Sequence, residues 1–287
     1  MSSTPISNTE NIESNNIHNP QTAKVAWRYK IPWLKFGLRS LSLLIFFGGW
    51  QFLCAIKFNF LFNFVFVPSP MEVLTASIEF LSKNASLHFQ ASIIRVLAGF
   101  GLAAVVGIIL GILIGWFDII EDLIFIPLEI LRPIPAVAWI PLAILMLPNS
   151  EAGMIFITFI GAFFPILIST IRGVEGADVL LIRVGQCLGA GQWHVFKDIV
   201  IPGAMPNIAS GLVIGMGNSW FCLVTAEILA GRYGIGYITW ESYVTSNYPP
   251  IVMGMLAIGL LGAFSTLVLD RALRLLMPWR VMRKKTA

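Results

Sequence analysis

Residues 96–116 read VLAGFGLAAVVGIILGILIGW, a run of 21 residues without a charged side chain. An α-helix rises about 1.5 Å per residue, so about 20 apolar residues cross a bilayer core about 30 Å thick. The run therefore predicts a transmembrane helix, which we place at Ile94–Trp116. Small residues at every fourth position let another helix pack closely in lipid. We expect this helix to belong to the same subunit, and a dimer interface is the alternative. These small residues are Gly99, Ala103, Gly107, Gly111 and Gly115.

The composition extends this interpretation to the whole chain. Of the 287 residues, 57% are hydrophobic and 12% are charged, whereas an average soluble domain is about 45–50% apolar and about 25% charged. So little polar surface does not cover a soluble core of this size. The basic residues cluster beside apolar runs, so contact with membrane lipid explains them and no nucleic-acid interface is expected. The cysteines and histidines lie far apart, and we predict neither a disulfide nor a metal site.

Apolar runs of similar length recur along the chain and predict an all-α polytopic membrane protein with six transmembrane helices. Residues 1–30 are predicted to be a disordered cytoplasmic tail, 31–277 the six-helix domain, and 278–287 a basic cytoplasmic tail. A surface helix is expected over Met71–His88. The predicted spans are Leu38–Ile56, Ile94–Trp116, 123–147, Gly153–Ile171, Ile208–Ala230 and Ile251–Leu269.

The basic residues also predict the orientation of the six spans. Fourteen of the 19 Lys and Arg residues fall in segments on one side, and four, including Arg95, fall on the other. Arg132 lies within the third span. Because Lys and Arg favour cytoplasmic loops, we predict a multi-pass membrane protein with both termini in the cytoplasm.

A more polar stretch, about 173–205, separates the fourth and fifth predicted spans. Its apolar residues from Val179 to Leu188 recur at helical spacing. Gly189 and its neighbours allow a sharp turn, and a second short helix is expected to end at Pro202. Two amphipathic helices joined in this way form a compact unit whose apolar face needs a partner. A helix pair lying on the membrane surface is the alternative.

The order of residues in this stretch resembles the EAA loop of permease subunits of ATP-binding cassette importers. In that pattern the triplet EAA is followed after three residues by Gly, and after nine more by I-x-L-P. Here Arg183 replaces the acidic residue and Ile201 replaces leucine. The resemblance implies a cytoplasmic loop that couples the permease to its ATPase. The residues carried over are Arg183, Val184, Gly185, Gly189, Ala190, Ile199, Ile201 and Pro202.

Further segments resemble the nitrate/sulfonate/bicarbonate (taurine-type) family of these permeases. They are Val67-Pro68-Ser69-Pro70, Leu131-Arg132-Pro133-Ile134-Pro135 with Ala138–Ala143, and Gly161–Ile166. The resemblance implies a path formed by two permease copies as a homodimer, with separate ATPase subunits that use ATP and an external solute-binding protein. The permease itself would lie in the bacterial inner membrane and would bind no cofactor. The implied substrate is a small oxyanion such as nitrate, bicarbonate or a sulfonate, and a thiamine precursor or another small organic solute is the alternative.

Polar and aromatic residues within the predicted spans are candidates for the substrate path, because polar groups in lipid are costly. Glu129 and Arg132 lie three residues apart on one helix face, beside prolines that expose backbone carbonyls. An internal ion pair is the alternative for these two residues, and ordinary packing is the alternative for the tryptophans. The candidates are Glu129, Arg132, Trp139, Asn218, Trp220 and Glu227.

The chain shows none of the motifs GxxxxGK[ST], HExxH or GxSxG, so it is not expected to be an enzyme. A self-contained secondary transporter would show matching halves with broken spans, and no convincing repeat links residues 38–147 with 153–270. An intramembrane enzyme would need facing catalytic groups, for which Glu129, Glu227 and a few hydroxyls are available.

Overall fold

The structure is a computed structural model that describes residues 32–57, 66–83 and 85–277. The described residues are helical and contain no strand, which confirms the all-α class. The predicted tails, 1–30 and 278–287, lie outside the described residues. The helices are α1 (Pro32–Ile56), α2 (Pro70–Lys83), α3 (Ala85–Trp116), α4 (Asp118–Leu131), α5 (Ala136–Met146), α6 (Ser150–Glu175), α7 (Val179–Cys187), α8 (Gln192–Ala230), α9 (Ile235–Val244) and α10 (Tyr248–Leu275).

The chain divides into two compact units, residues 1–65 and residues 66–287. The described helix of the first unit is α1. In the second unit α6 packs along both α3 and α8, and α10 packs against α8, α9 and α2. Buried side chains concentrate on α6, whereas α10 buries only Met253 and Gly254. Most of α10 therefore presents apolar side chains outward.

Small residues on α3 and α8 allow these two helices to approach α6 closely. A Cβ added at Gly99 of α3 would lie 2.7 Å from Cβ of Thr158, and one at Gly211 of α8 would lie 2.6 Å from Cβ of Ser169. Real side chains do not approach so closely, so each glycine permits the contact. The predicted packing within one subunit is confirmed for the α3 stripe.

Four described helices are long and apolar enough to cross a membrane, namely α3, α6, α8 and α10. The predicted third span, 123–147, is not one continuous helix. It is the pair α4 and α5, bent by 89°, and counts as a fifth crossing only if the pair is one span. The prolines at 133 and 135 explain the break, because each lacks a backbone N–H and restricts the residue before it.

Two helices contain a π turn directly before a proline. The π turns are Glu121–Phe125 in α4, before Pro127, and Phe196–Val200 in α8, before Pro202. The prediction that Pro202 ends a helix is wrong, since α8 continues to Ala230. The N–H of Ile201 bonds to the carbonyl of Phe196, so the hydrogen-bond register already changes just before the proline. The missing N–H of Pro202 is therefore accommodated.

Candidate functional site

A buried charged cluster joins α3, α6, α8 and α9, and Arg95 of α3 is at its centre. The side chain of Arg95 is only 3% exposed. Its Nε donates to Oε2 of Glu151 at 2.7 Å, and its Nη2 donates to Oε1 of Glu151 at 2.5 Å. Its Nη1 donates to Oε1 of Glu227 at 2.8 Å and to the carbonyl of Tyr233 at 2.6 Å. One guanidinium therefore holds two carboxylates on two other helices.

The second carboxylate of the cluster, Glu227 on α8, is fully buried. It accepts a hydrogen bond from the hydroxyl of Ser92 at 2.7 Å and another from the N–H of Gly236 at 2.9 Å. The hydroxyl of Ser92 in turn accepts from the N–H of Ile235 at 3.0 Å. Buried polar groups need such partners, and here they fix the start of α9 against α3.

The turn between α8 and α9 depends on Gly234. Its φ is +136°, a conformation that side chains disfavour. A Cβ at this position would also meet the Glu227 carboxylate, 2.5 Å from Oε2. The N–H of Gly234 donates to Nδ1 of His88 at 3.2 Å. The backbone of Gly234 therefore lies against the side chains of Glu227 and His88, and this position has no space for a larger residue.

The sequence interpretation missed three members of this cluster, Ser92, Arg95 and Glu151. Arg95 was assigned to an outer segment, and the structure corrects this: α3 begins at Ala85, and Arg95 lies inside the helix and is buried. The partners lie 56 and 132 residues away along the chain, so no local spacing connects them. The available signal was charge, because an arginine and a glutamate in apolar spans each need an opposite partner.

The predicted pair of Glu129 and Arg132 lies at the end of α4, just before the bend. Nη1 of Arg132 donates to Oε1 of Glu129 at 2.9 Å, and the side chains are 42% and 45% exposed. This confirms the ion pair that was the alternative interpretation, while leaving both groups accessible. Trp139 follows in the first turn of α5, and its buried Nε1 has no hydrogen-bond partner among the described residues.

The remaining path candidates lie on α8 and do not form one cluster with that pair. Asn218 is exposed, whereas Trp220 is 5% exposed. The indole N–H of Trp220 donates to the hydroxyl of Ser265 on α10 at 2.9 Å. Among the described residues, no hydrogen bond or ion pair connects Asn218, Trp220 or Glu227 to Glu129 or Arg132. The six candidates therefore occupy at least two separate regions.

The loop between α6 and α8 contains α7 and a tight turn. Asp178 begins α7 by accepting from the N–H of Leu180 at 2.9 Å. Gly189 follows with φ +85°, so the predicted turn is confirmed. A Cβ at Gly185 would lie 2.8 Å from Cδ1 of Ile199, which shows how closely α7 approaches α8. Exposed apolar side chains on α7, in the turn and at the start of α8 are Val179, Leu180, Leu181, Val184, Leu188 and Trp193.

These features define a class of protein, a helical membrane protein with several apolar helices around α6, a buried charged cluster and an exposed apolar loop. Residues 103–281 match the family described as binding-protein-dependent transport system inner membrane component, and the chain belongs to this family. It is a permease component of the ABC transporters, as the resemblance of its loop indicated.

Relatives support the same assignment. A putative ABC transporter permease of Methanocaldococcus jannaschii is 40% identical over 261 residues, covering 88% of this chain and 93% of the relative. The nitrate import permease NrtB of Synechocystis is 36% identical over 232 residues, covering 77% and 81%. The bicarbonate transport permease CmpB of Synechocystis is 35% identical over 194 residues, covering 67% and 68%.

Proposed function

We propose that the chain forms half of the translocation path of an ATP-driven importer for a small oxyanion delivered by an external binding protein. The observation that carries the substrate class is the similarity to permeases named for nitrate and for bicarbonate. Both substrates are small, planar and anionic. A sulfonate belongs to the same chemical class, and a thiamine precursor or another small organic solute is the competing substrate.

The proposed domain covers residues 31–277 and crosses the membrane six times, through α1, α3, the α4–α5 pair, α6, α8 and α10. The first helix contains 25 residues, about 37 Å at 1.5 Å per residue. An even number of crossings puts both termini on the same side, and the basic residues near them, including the basic tail at 278–287, favour the cytoplasm. Cysteines at Ser7 and Thr286 should then react with an impermeant label from inside only, and one at Ser82 from outside only. Reaction of the two termini from opposite sides would refute the six crossings.

The loop at about 173–205 is proposed as the coupling element that inserts into a groove of each ATPase subunit. Support comes from its exposed apolar residues, of which Leu188 is 83% exposed, since an amphipathic helix docks with such a face. Arg183 replaces the acidic residue of the motif, so the contact relies on apolar packing and on the turn. The permease then binds no ATP itself, and the ATPase subunits hydrolyse it.

A variant of the turn tests the coupling role. Gly189→Val places a β-branched residue at φ +85° and should displace α7 from the start of α8. We expect substrate-stimulated ATP hydrolysis in the reconstituted complex to fall at least about tenfold, while the helices still insert. The control is Gly191→Ala, because Gly191 has φ −68° and a Cβ there meets nothing within 4 Å. Unchanged stimulation in Gly189→Val would refute the docking role.

The path is proposed to run between two copies of the permease, past the break between α4 and α5. Glu129, Arg132 and Asn218 are exposed side chains that could face it. Trp139 lies at the break. The buried Trp220 and Glu227 would contribute by holding α10 and α9 in place.

Reconstitution tests the function as a whole. The chain should co-purify from membranes with an ATPase subunit and a second copy of itself. Proteoliposomes with ATP inside and the binding protein outside should take up labelled nitrate, bicarbonate or taurine. Uptake of a thiamine precursor without any oxyanion would favour the alternative, and uptake without ATP or the ATPase subunit would indicate a secondary transporter.

A further inference from the structure

The guanidinium of Arg95 bonds to two different carboxylates through two different edges. The two carboxylates differ sharply in exposure. Glu227, on the Nη1 side, is fully buried, whereas Glu151, on the edge formed by Nε and Nη2, is 58% exposed. We propose that this Nε–Nη2 edge is an oxyanion-binding site, and that Glu151 is a resident carboxylate that a small oxyanion displaces. The proposal rests on the proposed function and names a site for its substrate.

The chemistry of the edge fits this ligand class. Glu151 engages the edge with both of its oxygens, at 2.7 Å and 2.5 Å. Two parallel N–H groups of arginine match two oxygens of one anion. Nitrate and bicarbonate present two oxygens on a planar centre as a carboxylate does, and a sulfonate presents two of its three. Chloride offers a single acceptor atom, so the two N–H groups converge on it instead of forming two parallel bonds to two oxygens.

The edge is held in position without Glu151. Nη1 of Arg95 bonds to Glu227 and to the carbonyl of Tyr233, and Glu227 is itself fixed by Ser92 and Gly236. These partners keep the guanidinium plane oriented when the other edge changes ligand. A guanidinium that is already oriented loses little conformational freedom when it binds an anion.

The exchange leaves the charge in direct contact with Arg95 unchanged. With Glu151 bound, one cation faces two carboxylates, and replacement of Glu151 by a monovalent oxyanion leaves the same total. Glu151 lies in the first turn of α6 and is already more than half exposed, so its release into water requires little further solvation. The buried Glu227, by contrast, has no comparable route to water. The exchange therefore takes place at the Nε–Nη2 edge, which Glu151 occupies.

Direct binding to purified protein tests the site without the binding protein. Nitrate is the probe, measured by equilibrium dialysis on the permease–ATPase complex in detergent. Glu151→Gln removes the competing charge, so nitrate affinity should rise about tenfold, as expected when one charge-assisted contact stops competing. Glu151→Asp keeps the competing charge and should bind nitrate no more tightly than the unmodified complex. Chloride affinity should rise less than nitrate affinity, because chloride gains from the removed charge but not from two parallel hydrogen bonds.

The control is the exposed ion pair of Asp270 and Arg274 on α10, at 2.7 Å. Asp270→Asn also frees an arginine from a carboxylate, but without a buried scaffold, and should leave nitrate affinity unchanged. Arg95→Lys in the Glu151→Gln background should remove the gain in nitrate affinity, because an ammonium lacks the two parallel N–H donors of a guanidinium. Equal nitrate affinity in Glu151→Gln, Glu151→Asp and the unmodified complex would overturn the proposal, as would an equal gain in Asp270→Asn.

Uptake separates this inference from the proposed function. In proteoliposomes the unmodified importer should take up an oxyanion. Glu151→Gln should lower either the half-saturating concentration of the loaded binding protein or the rate of oxyanion uptake. If no oxyanion is taken up, the proposed substrate class is wrong whatever the dialysis shows. If an oxyanion is taken up and the dialysis shows no effect of Glu151, only the site is wrong.

Discussion

The buried cluster around Arg95 and the exposed pair of Arg132 and Glu129 use the same chemistry in opposite surroundings. Among the described residues, the Arg95 side chain is 3% exposed, makes four hydrogen bonds and ties together α3, α6, α8 and the turn before α9. Among the described residues, the side chain of Arg132 makes one hydrogen bond, to Glu129 three positions earlier. The first arrangement fixes the fold locally, whereas the second constrains almost nothing beyond one turn of α4.

The difference follows from solvation. A buried ion pair is costly to break because the remaining charge has neither water nor a partner. An exposed pair gains little, since water solvates either partner alone. The same substitution should therefore disrupt assembly in one region and leave it intact in the other. In the exposed region a simple substitution can therefore separate a transport defect from a folding defect.

The largest expected effect is at Arg95. Arg95→Met leaves Glu227 buried without its cation, and we expect a destabilisation of about 3–5 kcal/mol and loss of assembled complex. Yield after size-exclusion chromatography and thermal unfolding measure this. Arg274→Met, which breaks an exposed pair on α10, is the matched control and should cost no more than about 1 kcal/mol. Similar yields for the two variants would show that burial does not set the cost of breaking these ion pairs.

A second large effect is expected at the turn that holds the cluster. Gly234→Ala introduces a Cβ against the Glu227 carboxylate at a φ of +136°. Backbone strain of this kind costs about 1–3 kcal/mol, and the displaced carboxylate adds to it. Gly217→Ala is the control, because a Cβ there meets nothing within 4 Å, and it should be neutral or slightly stabilising. A normal melting temperature for Gly234→Ala would show that the turn adapts without disturbing Glu227.

Local patterns in the sequence predicted the features of this fold that depend on interactions between residues close together in the chain. The apolar run at 96–116 and the glycine spacing within it predicted both α3 and its packing on a neighbour. The i,i+3 spacing of Glu129 and Arg132 predicted their ion pair as one alternative. The turn at Gly189 was likewise predicted from three adjacent residues. Each of these features involves residues within about four positions of each other.

The features that the sequence did not predict depend on the tertiary fold. Arg95 meets Glu227 only because α6 brings α3 and α8 together, across 132 residues of chain. The continuation of α8 through Pro202 depends on a π turn, whose altered register has no recognised local pattern. The prolines in the third span predicted missing backbone hydrogen bonds but not a bend of 89°. The packing of α5 against α6 and α8 sets that angle.

A smaller effect is expected where α8 meets α10. Trp220→Phe removes the hydrogen bond to Ser265 but keeps most of the ring, so we expect a loss of about 1 kcal/mol and normal uptake. Thermal unfolding and proteoliposome uptake measure the two quantities. Trp193→Phe, at an exposed position on the loop, should leave stability unchanged. A fall in uptake at unchanged stability for Trp220→Phe would instead place Trp220 on the path.

The smallest effect on stability, and the sharpest test of the path, is expected at the exposed pair. Arg132→Gln and Glu129→Gln should each cost no more than about 1 kcal/mol, so both complexes should assemble in normal yield. If Arg132 faces the path, Arg132→Gln lowers oxyanion uptake because a positive charge near the break between α4 and α5 is lost. Glu129→Gln removes the competing negative charge and should preserve or raise uptake. Normal uptake by assembled Arg132→Gln would remove Arg132 from the route, and equal losses in both variants would show that the pair matters as a structural unit.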